Sequence, residues 1–178
     1  MTRRNRKKLV IDANIASSAG AAPAPVSLHS RHCLEVIRRD EHIAVFNSQL
    51  RREWKNHASL IAKQWQVAMQ QRRRIIDVEG DEFAYLSDPA SACLAEAAWG
   101  IALRKDFHLV QSALGADQLI LSNENALPTY LRRSCESVPE LRNLYFGNPE
   151  REGTDCIGWI KAGAKKEPKR RADRFLQA

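Results

Sequence analysis

Four carboxylates stand out by where they fall relative to short apolar runs. Asp12 follows Leu9-Val10-Ile11, and Glu124 comes just after Leu119-Ile120-Leu121. Glu53 lies in the first turns of a helical pattern that follows Ile43-Ala44-Val45-Phe46. Asp106 precedes the inward-facing spacing Leu109, Val110, Ala113 and Leu114, where it reads as the cap or opening residue of a helix. Carboxylates gathered in a poorly hydrated cleft repel one another and take up protons. A divalent cation that prefers oxygen ligands, Mg²⁺ or Mn²⁺, removes that cost. Such a site can polarise a phosphodiester for in-line attack by water. No histidine or cysteine belongs to the set, which argues against zinc. Taken singly, each acid has a plainer reading: Asp12 a turn residue, Asp106 a helix cap, Glu124 a loop residue, Glu53 a solvated residue among Arg51, Arg52 and Lys55. Their joint placement carries the chemical reading.

That placement depends on the elements between them. Leu9–Asp12, Ile43–Phe46 and Leu119–Leu121 read as buried strands. The small-residue stretch Ala16 to Pro25 reads as a loop, and Leu28 to Arg39 as a helix with Leu28, Cys33, Leu34, Val36 and Ile37 inward. Asn47 and Ser48 are good cap residues for a long helix in which Leu50, Trp54, Ala58, Ile61, Trp65 and Ala68 or Met69 share one face. Ile75–Val78 reads as a short extended piece. Asp88-Pro89 opens a helix whose buried face holds Ala90, Cys93, Leu94, Ala97 and Ile101. Gly115 ends the helix after Asp106, Pro128 to Arg133 is helical, Leu144-Tyr145-Phe146 is an edge strand, and Asp155 to Ala164 a last helix. Strands alternating with helices predict an α/β fold: a mostly parallel central sheet with helices on both faces. In such a sheet the carboxyl ends of the strands form the rim at which ligands bind. Asp117 competes with Glu124 for the fourth place but precedes its strand, so it is expected at the opposite rim.

Length and composition agree with one globular domain: 178 residues, 44% hydrophobic and 28% charged. No apolar run approaches the roughly 20 residues of a membrane span, and the expected location is cytoplasmic. The four cysteines are far apart with no Cys-x-x-Cys pair, which reads as buried free thiols. The net charge of +7 is unevenly spread. Residues 1–8 hold five basic residues and no acid, and residues 161–178 hold seven basic residues against two acids. The chain therefore divides into a mildly acidic domain, 9–160, between two basic tails, 1–8 and 161–178. Such tails either solubilise or capture a polyanion through counterion release.

Val10-Ile11-Asp12-Ala13-Asn14-Ile15 resembles the opening strand of PIN domains, metal-dependent nucleases that include the toxins of type II toxin–antitoxin systems. The tract Leu103 to Glu124, with Asp106 and the strand ending in Ser122-Asn123-Glu124, resembles that family's later segment. Ser48 to Glu53 resembles the segment that carries its glutamate. The likeness runs from about residue 8 to residue 135, with an unmatched middle near 60–85. It implies a PIN-like three-layer α/β/α sandwich with Asp12, Glu53, Asp106 and Glu124 as catalytic, Mg²⁺- or Mn²⁺-binding acids. It further implies that Asn14 and Ser122 orient Asp12. RNA as substrate, an antitoxin protein and a homodimer as partners follow from the likeness alone. Arg51, Arg52 and Lys55 would hold RNA phosphates. Position 124 is glutamate where the family usually has aspartate. The alternative is therefore a non-catalytic nucleic-acid-binding module with a degenerate acidic site. A nucleotide-binding regulator has little support, because neither Gly-x-x-x-x-Gly-Lys-Ser/Thr nor Gly-x-Gly-x-x-Gly occurs.

Overall fold

Leu9, Val10 and Ile11 are fully buried because the strand they form lies at the centre of a sheet covered on both faces. The computed structural model describes residues 6–175. In chain order its elements are β1 (Lys8–Ile11), α1 (Ala13–Ser18), α2 (Pro25–Arg39), β2 (Ile43–Phe46), α3 (Ser48–His57), α4 (Leu60–Gln71) and β3 (Ile75–Asp77). There follow α5 (Ser87–Ala92), α6 (Ala97–Leu114), β4 (Leu119–Leu121), α7 (Ala126–Ser134), β5 (Tyr145–Gly147), α8 (Pro149–Glu152) and α9 (Thr154–Lys161).

The sheet has the order β3-β2-β1-β4-β5, and every pairing between these strands is parallel. Helix α2 contacts α4, α8 and α9 in one layer, and α5, α6 and α7 contact one another in the other. This is the α/β three-layer sandwich that the alternation of strands and helices predicts. The chain steps from β1 outward to β2 and β3, then returns to place β4 on the other side of β1. Between β1 and β4 the winding reverses, so their carboxyl ends flank a crevice. Register fixes what meets there: Ile11 pairs with Leu121, and the Asp12 amide donates to the Leu121 carbonyl at 2.9 Å. Asp12 and Ser122 are thereby set side by side.

Several elements differ from the sequence reading. The stretch after Asp12 is not a loop throughout: Ala13–Ser18 is helical, with Ile15 and Ala16 buried beneath it. The long helix over Leu50–Met69 is two helices. The chain extends at Ala58 and Ser59, and the Ser59 hydroxyl accepts from the Ala62 amide at 3.2 Å to start α4. The same hydroxyl donates to the Ala19 carbonyl at 2.8 Å, so the break is tied to the end of α1. The hydrophobic face continues through the break, which is why periodicity alone does not reveal it. The helix from Asp88 ends at Ala92, and α6 starts afresh at Ala97. Ile101 and Cys93, expected inward, are exposed, as is Leu28 in α2. The other three thiols are buried.

The C-terminal basic stretch is docked rather than loose as far as residue 175. Arg170 is 1% exposed. Its Nη1 lies 2.7 Å from Glu152 Oε1 and donates to the Phe146 carbonyl at 3.2 Å, while its guanidinium covers the Trp159 ring at 4.3 Å. The Ala172 amide donates to the Leu144 carbonyl, and Phe175 packs on Phe146. A charge run conceals this because the apolar residues that anchor it, Ala172 and Phe175, are few. At the other end Lys8 already belongs to β1. The expectations for residues 1–5 and 176–178 lie outside the described residues. Among the described residues no helix is long and apolar enough to cross a membrane.

Candidate active site

Asp12 stands at the carboxyl end of the central strand and begins α1. Its Oδ1 accepts from the Asn14 amide at 3.3 Å, so it caps a helix. Its Oδ2 accepts from the Ser122 hydroxyl at 2.8 Å and from Asn14 Nδ2 at 2.9 Å. Asn14 Nδ2 also reaches Ser122 Oγ at 3.0 Å, and Asn14 Oδ1 accepts from the Asn123 amide at 3.0 Å. The Ser122 hydroxyl accepts in turn from the Glu124 amide at 3.1 Å. Asn14 and Ser122 thus occupy the orienting positions expected of them, and they lock one carboxylate oxygen while joining two strand ends.

Glu53 comes to the same place through its neighbour. Trp54 is fully buried, and its indole NH donates to the Ile11 carbonyl at 3.0 Å, pinning the second turn of α3 over the end of β1. Asn47 fixes the start of that helix by accepting from the Leu50 amide at 2.7 Å. Asp106 arrives differently from the expectation. It is neither a cap nor the start of a helix but sits in the middle of α6, half-buried, with Leu103 and Phe107 holding the helix to the core. Glu124 extends from the loop after β4 and is exposed. Asp117 lies at the opposite rim, where its Oδ2 accepts from the Lys8 amide at the start of β1 at 2.9 Å.

Asp12, Glu53, Asp106 and Glu124 line one cleft of about 350 Å³ together with Asn14, Ser17, His57 and Lys105. The electrostatics match that crowding. Burial, with a smaller push from Glu124 and Asp106, drives the Asp12 carboxyl up to about 6 against the hydrogen bonds from Ser122 and Asn14. Burial, then Glu124 and Glu53, also raise Asp106 above its ordinary value despite Lys105. Burial raises Glu53 too, but hydrogen bonds from His108 and Gln49 outweigh it and leave this carboxyl below its ordinary value.

His108, His57 and Lys105 are absent from the sequence reading of the site. His108 is buried, with Nε2 3.4 Å from Glu53 Oε1 and Nδ1 against the Asn47 side chain. No local pattern signals it: residues two apart on a helix point to different faces, and His108 reaches Glu53 only because α6 packs on α3. His57 lies one helical turn beyond Glu53, and Lys105 adjoins Asp106. These two, rather than Arg51, Arg52 and Lys55, line the cleft, and Lys105 supplies its cation. Arg51 is held away by Asp77 at 2.6 Å and lies over the Phe46 ring, while Arg52 and Lys55 point to solvent.

The donors facing the cleft are carboxylate oxygens, which suits Mg²⁺ or Mn²⁺. Among the described residues no three histidine, cysteine, aspartate or glutamate side chains draw close enough to hold an ion among themselves. One or two carboxylates completed by water and a phosphate oxygen are a sufficient set for Mg²⁺. Asp12 fits such a role: its charge is disfavoured where it stands, and a cation would reverse that. Comparisons with protein-family models, curated proteins and solved structures find no match for this chain.

Proposed function

We propose that the chain is a metal-dependent endoribonuclease that hydrolyses RNA phosphodiester bonds in the cleft between β1 and β4. The observation that carries this reading is the Asp12 carboxylate, locked by Ser122 and Asn14 at the sheet's switch point and facing three further acids. Asp12 with one further cleft carboxylate, Asp106 or Glu124, would hold Mg²⁺ or Mn²⁺ completed by water and a phosphate oxygen, and the ion when bound would supply Lewis-acid polarisation of the phosphodiester. Asn14 and Ser122 keep Asp12 Oδ2 directed. Glu53, kept ionised through His108 and Gln49, is suited to accept a proton from attacking water. Lys105 and His57 line the cleft, and Lys105 would offer its charge to a phosphate there. The PIN likeness favours RNA over DNA and a role as the toxin of a toxin–antitoxin pair.

A second reading is a nucleic-acid-binding module that does not cut. It is favoured by the spacing of the acids, no three of which close on one point among the described residues. Incubating end-labelled single-stranded RNA with the protein separates the two. The nuclease reading expects cleavage with Mg²⁺ or Mn²⁺ that chelator stops. Retention of intact RNA under both conditions would favour the binder.

A further inference from the structure

Outside the cleft, three planar side chains form a stack between α6 and α7. Trp99 and Tyr130 lie with ring centroids 5.9 Å apart and planes at 30°. The Arg133 guanidinium sits over the Trp99 ring at 4.6 Å. Trp99 and Tyr130 are partly exposed and Arg133 is exposed. Arg133 makes no ion pair among the described residues, whereas nearby Arg104 is paired with Asp88.

The position of this stack relative to the acids follows from helix geometry. Trp99 precedes Asp106 by seven residues, so the two share a face of α6 about 10 Å apart along its axis. Helix α7 begins two residues after Glu124, so Tyr130 and Arg133 rise from the loop that forms the opposite wall of the cleft. Both supports of the stack therefore lead directly from cleft acids. Packing of α7 is already provided by Leu127 and Leu131, both buried. Trp99 and Tyr130 rest against the core on one side and keep part of their surface exposed, and the Arg133 guanidinium, without an ion pair among the described residues, lies at the end of the pair. The stack matches what unstacked bases bind: aromatic faces and guanidinium planes beside a site for the backbone.

We propose that Trp99, Tyr130 and Arg133 form a base-stacking platform for single-stranded RNA whose phosphate lies in the acidic cleft. The proposal rests on the nucleic-acid reading of that cleft and assigns it a second point of contact. The platform selects for unpaired bases without reading their identity, because every base offers a π-face.

The test compares a short oligoadenylate with an abasic oligonucleotide of the same length and with polyglutamate. Binding is measured with Mg²⁺ present in the Glu53→Gln chain, which lacks the proposed proton acceptor and so slows cleavage while keeping the carboxylates proposed to hold the ion. The platform predicts that the oligoadenylate binds at least about tenfold more tightly than the abasic strand. It also predicts quenching of tryptophan fluorescence, since Trp54, Trp65 and Trp159 are buried and Trp99 is not. Trp99→Leu should remove most of the preference, Trp99→Phe should keep it, and Arg133→Gln, at an exposed position, should reduce it without touching the fold. Equal binding of oligoadenylate and abasic strand overturns the platform while leaving the cleft's phosphate binding intact. Equal binding of polyglutamate would mark a general anion surface and overturns it too. Failure to bind any of the three overturns platform and nucleic-acid reading together. A base preference in a wild-type chain that never cuts RNA would retain the platform and remove only the nuclease.

Discussion

Ser122 donates its hydroxyl hydrogen to Asp12 Oδ2 across 2.8 Å, linking the ends of two adjacent parallel strands. The same oxygen of Ser122 accepts from the Glu124 amide, so a single hydroxyl sets both the central acid and the loop that carries its partner. Ser122→Ala removes the donor and leaves that amide unpaired, at a cost of about 1–2 kcal/mol of stability. Loss of a partner that orients a metal-binding carboxylate typically costs about 10–100-fold in metal affinity or activity. The check is the Mn²⁺ concentration for half-maximal RNA cleavage. An unchanged metal dependence would remove Ser122 from the site.

The Asp12 carboxyl yields a pH prediction whose sign is fixed by the direction of its shift. Its ordinary value of 3.8 is raised to about 6 in the fold. Below 3.8 both states are protonated and no penalty exists. Between 3.8 and about 6 the unfolded chain gives up its proton first, so the folded protein loses stability as pH rises; above about 6 the loss is complete. The full penalty is about 3 kcal/mol without metal. His42, held below its ordinary value by burial, contributes with the opposite sign but is present in wild type and in Asp12→Asn alike. The stability difference between these two proteins, measured by urea unfolding in chelator, should therefore shift against wild type from pH 4 to pH 7. A flat difference would make Asp12 an ordinary exposed carboxylate.

Lys105 lines the cleft, whereas Arg52 faces solvent away from it. Lys105→Gln should weaken RNA binding and reduce the slope of log affinity against log salt by about 1, while Arg52→Gln leaves that slope nearly unchanged. A salt titration of RNA binding distinguishes them. The reverse ranking would return phosphate capture to the outer face of α3.

Arg170 is the test of the docked C-terminal segment. Arg170→Ala leaves Glu152 without its partner at 2.7 Å and uncovers Trp159, at a cost of about 3 kcal/mol. Urea midpoints measure it. The effect should reach the cleft loop, because Glu152 Oε2 accepts from the Asn148 amide, and Asn148 Nδ2 donates to the Asn123 carbonyl and to Asn125 Oδ1. A stability change under about 0.5 kcal/mol, the usual size for a surface substitution, would mean that the segment is a tail after all.

The strands and the gathering of acids were legible because both follow from short-range pattern. Runs such as Leu9–Ile11 and Leu119–Leu121 are apolar enough to be buried on both faces, and in a parallel sheet their ends share a rim. Caps at Asn47 and Gly115 were legible for the same local reason. Asp106 was misplaced on its helix because Ala97 and Ile101 continue a helical spacing across the break at Cys93–Glu96 while facing solvent. His108 and Lys105 entered the site only when α6 was seen to lie against α3, a tertiary contact with no local signature. Arg51 looked available until Asp77, brought alongside by the β2–β3 pairing, engaged it.

Asp12 is the acid on which the proposed action of a divalent ion on RNA depends. The direct measurement is the rate of single-stranded RNA cleavage by wild type and Asp12→Asn across a Mn²⁺ titration, with folding of both confirmed by circular dichroism. The predicted result is metal-dependent cleavage by wild type, stopped by chelator, and loss of at least about a thousandfold in Asp12→Asn at every Mn²⁺ concentration, corresponding to about 4 kcal/mol of transition-state stabilisation. Metal-dependent cleavage by Asp12→Asn at a rate close to wild type would contradict the assignment of the cleft.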